Sequence, residues 1–259
     1  MIELFNKILF EPILNLLLLV YHYLPPHDLG TSIIVVTILL KLLLFIPSWS
    51  SIKSQQAMQE IQPKLDALRK KYENNKEELS RQLLVFYREN KINPLSSCLP
   101  VLIQFPILIA LYQVFIAVAR THTDTGLLTA DQLNHVYSGL RGFFTDTPIK
   151  TMFIGLLDLK AKNYVMAGIA AVLQFWQTRM LMKTSKAPAA GTKNLAQSMS
   201  RQMAYTMPIV TFIFGASVPS GLAMYWAVST LFQVAQQYLF IRRRRQLAAS
   251  NDVIEQKPA

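Results

Sequence analysis

Thr31–Ser51 reads "TSIIVVTILLKLLLFIPSWSS". A helix needs about 20 predominantly apolar residues to cross the hydrocarbon core of a bilayer. This run has that length and one charge, Lys41, set among leucines with no acidic residue nearby. If the helix begins near Leu29, a rise of about 1.5 Å per residue puts Lys41 roughly 18 Å along it. A lysine near mid-helix costs about 2.5–3.5 kcal/mol on insertion scales. Either its stem snorkels to the headgroups, or its ammonium faces a water-filled cavity inside a bundle. The remaining depth of a core about 30 Å thick is roughly 12 Å, more than one side chain comfortably spans, which favours the cavity.

The rest of the chain extends the pattern. Of its 259 residues 52% are hydrophobic and only 16% charged, with a net charge of +11; soluble domains carry about 25% charged residues. Further apolar windows occur at Leu95–Ala119, Tyr164–Met182, Met203–Ser217 and Gly221–Ile241. The expected fold is all-α, a polytopic membrane protein with spans at residues 29–49, 95–119, 163–182, 202–218 and 221–241. A β-barrel calls for alternating segments of about ten residues, and the sequence has none. The lone Cys98 excludes an internal disulfide and reads as packing. His22, His27, His122 and His135 lack metal-ligand spacing. With no phosphate loop and no nucleophile–base pattern, neither a cofactor nor a metal nor enzymatic catalysis is expected.

In "MIELFNKILFEPILNLLLLVYHYLPPHD" the residues Glu3, Lys7, Glu11 and Asn15 recur every four positions, one polar stripe on an apolar helix. That is the pattern of a helix lying in the interface plane, here residues 1–24, ended by Pro25-Pro26. A spanning signal anchor is the competing reading; the balanced charge and missing small-residue cleavage site argue against a secretory signal. Residues 51–93 read as a helical hairpin. Ile61, Leu65, Leu68 and Tyr72 form one apolar seam, and Leu79, Leu83, Phe86 and Tyr87 form a second beyond the turn "ENNK". This segment, the loop at 183–201 and the tail at 242–259 are all basic. With five spans and the amino terminus outside, all three fall on one side, which the positive-inside rule makes the cytoplasm. The loop at 120–162, of mixed charge, falls outside.

Polar residues recur inside the spans: Thr37 one turn above Lys41, Gln104 between two prolines, Gln174 and Gln177, then Ser229, Thr230, Gln233 and Gln237. Each alone is an ordinary interhelical hydrogen bonder, worth about 0.6 kcal/mol on average. Together they are too many for a dry bundle, and with no carboxylate among them the cavity is expected to be positive.

Three runs carry a resemblance. "QPKLDALRKKYENNKEELSRQLLVFYRENKINPL" continues into "SSCLPVLIQFPILIALY", and "PSGLAMYWAVSTLFQVAQQYL" closes the last span. They resemble the YidC/Oxa/Alb family of membrane protein insertases over nearly the whole chain. The resemblance implies five helices around a hydrophilic groove that opens to cytoplasm and lipid and is closed to the outside. It places Lys41 where the family usually has an arginine projecting into the groove. The charge survives this departure, but the planar guanidinium fork does not. Thr37, Gln104, Phe105 and Pro106 match groove positions. Tyr225 and Trp226 match an aromatic pair that is usually two tyrosines. Phe105, Pro106, Tyr225 and Trp226 are therefore the expected substrate-contacting residues. The family often carries an external domain or a lipoprotein signal ahead of this core; the sequence opens on the interfacial helix. Lacking an Arg- and Ser-rich transit segment, it is expected in a bacterial plasma (inner) membrane.

The resemblance implies an insertase that moves hydrophobic segments of nascent proteins into the bilayer, alone or with the Sec translocon. No small-molecule substrate is expected, and one copy is expected to suffice. Arg242, Arg243, Arg244 and Arg245 read either as an anchor on anionic lipid or as a contact to ribosomal RNA. The hairpin reads as a partner-docking arm or as a solvated, topology-setting coil. A small-solute transporter is the alternative, although the coupling carboxylate and inverted repeats it normally needs are not found. A lipid scramblase is a further one.

Overall fold

The computed structural model describes residues 2–90, 93, 99–119, 125–183 and 195–255, without the side chains of a few helical positions. Cys98 and most of the expected loop at 183–201 lie outside the described residues.

The described chain is mainly helical. α1 (Ile2–Tyr23) carries one π-helical turn at Asn6–Phe10 and buries Leu14, Leu17, Leu18 and Tyr21 on one side. After the Pro25-Pro26 bend comes α2 (Leu29–Leu43), whose first turn is capped by Asp28. Its carboxylate accepts from the Thr31 amide at 2.7 Å and the Thr31 hydroxyl at 2.9 Å, satisfying donors that a helix start leaves open.

α2 ends at Leu43, and α3 (Phe45–Lys71) leaves it at 66°. The cause is in the sequence. Pro47 has no amide hydrogen to give to the Leu43 carbonyl four residues back, and its ring collides with that carbonyl. α4 (Lys76–Glu89), capped by Asn75, returns along α3. Ile61 and Leu65 are buried, and Leu79, Leu83, Phe86 and Tyr87 are half-buried.

α5 (Leu99–Ala119) buries Ala110, Leu111, Val114, Phe115 and Val118. The segment after it folds into α6 (Ala130–Asn134), α7 (Ser138–Phe144) and an antiparallel hairpin of β1 (Met152–Phe153) and β2 (Leu157–Asp158). α8 (Tyr164–Lys183), α9 (Leu195–Ser217) and α10 (Ser220–Glu255) complete the chain. α8 packs on α9 and α10, and α10 packs on α2.

The core joins Leu14, Leu18, Ile33, Val36, Val114, Val118 and Leu222 from four helices. The outer surface is also apolar: Leu43, Ile46, Val165, Val172, Ile213 and Leu239 are all exposed. Helices that are apolar inside and out suit a bilayer rather than water. Among the described residues α1 is long and apolar enough to cross one, as is the bent pair α2–α3 taken together; Leu102–Val118 and Ala204–Ser217 are apolar over shorter lengths.

The segment between α5 and α8 is tied to the adjoining helix ends by backbone bonds. Leu29 N donates to Lys150 O at 3.0 Å, Ser220 N to Ala161 O at 2.9 Å and Gly221 N to Leu159 O at 3.1 Å. Ser220 Oγ donates to Asp158 O at 2.7 Å. Gly30 lets the Phe153 ring lie directly on α2, for a Cβ there falls 2.2 Å from the ring. The α1 stripe also meets this segment. Asn15 Nδ2 donates to His135 O at 2.8 Å, Asn15 Oδ1 accepts from Tyr137 N at 2.7 Å, and Glu11 lies 3.0 Å from the His135 ring.

Candidate functional site

Lys41 lies in the last turn of α2 and is 8% exposed. Its Nζ donates to Gln104 Oε1 of α5 at 3.0 Å. The Gln104 amide nitrogen in turn donates to the Tyr225 hydroxyl of α10, and Ser229, one turn further along α10, is buried as well. Three residues expected from the sequence thus form one connected polar line across three helices, with a cation at one end.

Among the described residues no carboxylate neutralises that cation. Asp66 pairs with Arg69, and Glu11 lies against the His135 ring, both in other parts of the molecule. Because α2 ends two residues after Lys41, the ammonium belongs to a helix C-terminus, where the last carbonyls carry a partial negative charge. One amide oxygen, that of Gln104, is the hydrogen-bond partner of this charge.

The other expected residues fall outside this line or at its edges. Thr37 is buried one turn before Lys41, and its hydroxyl donates to Ile33 O at 2.6 Å, inside its own helix. A second polar group joins α8 and α10: Gln177 Nε2 donates to Gln233 Oε1 at 2.5 Å, and Trp226 Nε1 to Gln174 Oε1 at 3.4 Å. Phe105, next to Gln104, is 60% exposed, and Pro106 and Trp226 are half-buried. Tyr225, paired with Trp226 from the sequence, is buried, its hydroxyl engaged with Gln104. Arg242 and Arg243 are exposed; the side chains of Arg244 and Arg245 lie outside the described residues.

Residues 20–247 match the family described as 60Kd inner membrane protein. The chain belongs to this family. Among its relatives, a protein of Fusobacterium nucleatum is 32% identical over 216 residues, 83% of this chain and 87% of that protein. One of Syntrophus aciditrophicus is 33% identical over 235 residues, 90% of this chain and 36% of the relative. A third, of Streptomyces avermitilis, is 31% identical over 220 residues, covering 82% and 51%. Each is named membrane protein insertase YidC. The chain thus spans about half of the Streptomyces protein and little more than a third of the Syntrophus one. As a member of the 60Kd inner membrane protein family it is a membrane protein, in keeping with its apolar outer surface.

Some polar contacts leave no local mark in the sequence. From the four-residue stripe Asn15 is expected to face headgroups, but it is buried against partners 120 and 122 positions away, to which nothing near it in the sequence points. Ser48 donates to Gln236 Oε1 at 3.1 Å, joining α3 to α10. The one signal for that contact is Trp49 beside it, an aromatic residue at an apolar-to-polar boundary.

Proposed function

We propose that this chain is a membrane protein insertase, acting on hydrophobic segments of nascent proteins at the inner membrane. The carrying observation is the buried, carboxylate-free cation Lys41, joined through Gln104 to Tyr225. The names of the relatives support the same reading. In it, five helices cross the bilayer with the amino terminus outside and the carboxyl terminus in the cytoplasm, and α1 lies in the outer interface.

Insertion is a partitioning problem and makes no bond. A hydrophobic segment gains on entering lipid, while the polar flank it carries opposes transfer. A polar groove part-way through the bilayer shortens the apolar distance that flank must cross. Lys41 attracts acidic residues in the flank, since opposite charges attract more strongly where the dielectric is low. Gln104, Gln174, Gln177, Ser229 and Gln233 supply exchangeable hydrogen bonds. The segment leaves sideways over Phe105 and Pro106, which present exposed apolar surface, and past Trp226. Tyr225 acts from inside by holding Gln104. The tied-down segment between α5 and α8 covers the outer end. Partitioning and the membrane potential drive the process without nucleotide. The hairpin α3–α4 and Arg242–Arg245 face the cytoplasm, where the ribosome and the Sec translocon are the candidate partners.

The test is insertion of a small single-span protein with an acidic external flank into proteoliposomes. Wild type and Lys41→Arg are expected to insert it, and Lys41→Ala and Lys41→Glu to fail. Equal insertion by all four removes Lys41 from the mechanism. Solute uptake and lipid flipping by the same vesicles are the controls for a transporter or a scramblase.

A further inference from the structure

Two changes of chemistry coincide at the far end of the bundle from the β-hairpin. α3 turns from "FIP" to the polar "SWSSIK", and α10 turns from "YLFI" to "RRRR". The two boundaries touch, the rings of Trp49 and Phe240 lying 5.1 Å apart in a T-shaped contact, with Phe45 stacked on Trp49 at 5.6 Å. Against these rings lies a cavity of about 420 Å³, lined also by Lys53, Arg243, Gln56 and Glu60. Lys53 and Arg243 are exposed, and no carboxylate pairs with either among the described residues. One carboxylate against two cations leaves the cavity positive. About 6 Å deeper, one turn back along α10, Gln236 gives its oxygen to Ser48 and leaves Nε2 unpaired and buried.

We propose that this cavity is a binding site for one anionic phospholipid. The phosphodiester sits between Lys53 and Arg243, and the glycerol and upper acyl chains lie on Trp49 and Phe240. Several features select this occupant. The paired cations want a compact anion. An aromatic floor is the form interfacial residues take where apolar tails meet headgroups. The cavity also opens where two helices change from apolar to basic at the same level, which is where basic pockets between helices take anionic headgroups. Because its walls come from α3 and α10, a bound lipid bridges them just beyond the 66° bend. It would fix the direction in which the α3–α4 hairpin leaves the membrane. This last consequence rests on the insertase reading; the binding site itself does not.

The experiment is lipid retention by the full-length purified chain in detergent, followed by native mass spectrometry with phosphatidylglycerol and phosphatidylcholine as probes. Each cation is expected to contribute about fivefold to affinity, so Lys53→Gln with Arg243→Gln weakens phosphatidylglycerol about twenty-five-fold. Phosphatidylcholine, whose choline cation offsets the charge of the same phosphodiester, binds more weakly to begin with and loses less. Arg242→Gln, an exposed neighbour that does not line the cavity, changes retention less than twofold, and melting curves confirm that each variant is folded. Unchanged retention in the double variant overturns the proposal. So does an equal loss in Arg242→Gln, which marks diffuse attraction to the tail, and so does displacement of the lipid by millimolar inorganic phosphate, which marks a phosphate site. A chain that keeps its lipid selectivity but inserts nothing removes the functional reading and leaves the lipid site standing.

Discussion

Replacing Gln104 by leucine perturbs the site at its centre. The Lys41 Nζ loses the oxygen that it donates to at 3.0 Å, and the Tyr225 hydroxyl loses the amide nitrogen of the same side chain. A hydrogen bond to a charged group contributes about 1.5–3 kcal/mol and one to a neutral group about 0.5–1.5 kcal/mol, so the single variant is expected to lose about 2–4 kcal/mol. At roughly 2–4 °C per kcal/mol for a chain of this size, its midpoint of thermal unfolding in detergent drops by about 5–15 °C. Lys41→Met alone should cost far less, because it removes a charge that is expensive to bury along with the bond. Adding Lys41→Met to Gln104→Leu is therefore expected to restore the part of the stability lost at the ammonium, with a coupling of about 1.5–3 kcal/mol in the double-mutant cycle. The assay is thermal unfolding of all four proteins, followed by tryptophan fluorescence. Effects that add within about 0.5 kcal/mol refute the reasoning: Lys41 would then be solvated by water in the resting protein, and Gln104 would hold nothing.

Gly30→Ala sets a Cβ 2.2 Å from the Phe153 ring and 2.7 Å from the Phe153 Cβ, so the ring and its stem must both move. A loss of about 1–3 kcal/mol is expected, only part of it recovered by adding Phe153→Ala, which removes the ring but keeps the Cβ at 2.7 Å; a melting temperature equal to wild type for the single variant contradicts this packing. Asn15→Leu keeps the volume but breaks the bonds to His135 O and Tyr137 N. The cost of about 2 kcal/mol is local, so amide exchange across Asn134–Leu140 should rise by about thirtyfold while exchange in α8 does not change.

The helices of the membrane-facing bundle are legible because an apolar run needs no partner to be recognised: length and composition suffice. Contacts between them are another matter. Gln104 and Tyr225 are 121 positions apart, and Gln177 and Gln233 are 56 apart. A glutamine in an apolar run announces that it needs a partner but not which one. The α1 stripe shows how a correct period can hide its cause. Glu3, Lys7, Glu11 and Asn15 do share a face, and the lower half of that face is occupied by His135 and Tyr137 from a segment whose fold has only short elements. The β-hairpin is invisible to any periodicity argument because strands of two residues carry no period at all.

Lys41 is where the two levels meet. Treated as one uninterrupted span, Thr31–Ser51 leaves the ammonium stranded at mid-helix, and a water-filled cavity looks like the necessary remedy. Pro47 changes the terms. By ending α2 at Leu43 it converts a mid-span position into a final turn, where a cation gains about 0.3–1 kcal/mol from the helix dipole, and up to about 2 kcal/mol when partly buried. Gln104 adds a further bond. Together these approach the roughly 2.5–3.5 kcal/mol that a lysine at the helix centre costs on insertion scales. The residue can therefore be held without a counter-carboxylate, and its charge is not cancelled. An aspartate at the Gln104 position would hold the ammonium more tightly and erase the positive field. An amide holds it in place and leaves the field for an acidic flank to feel.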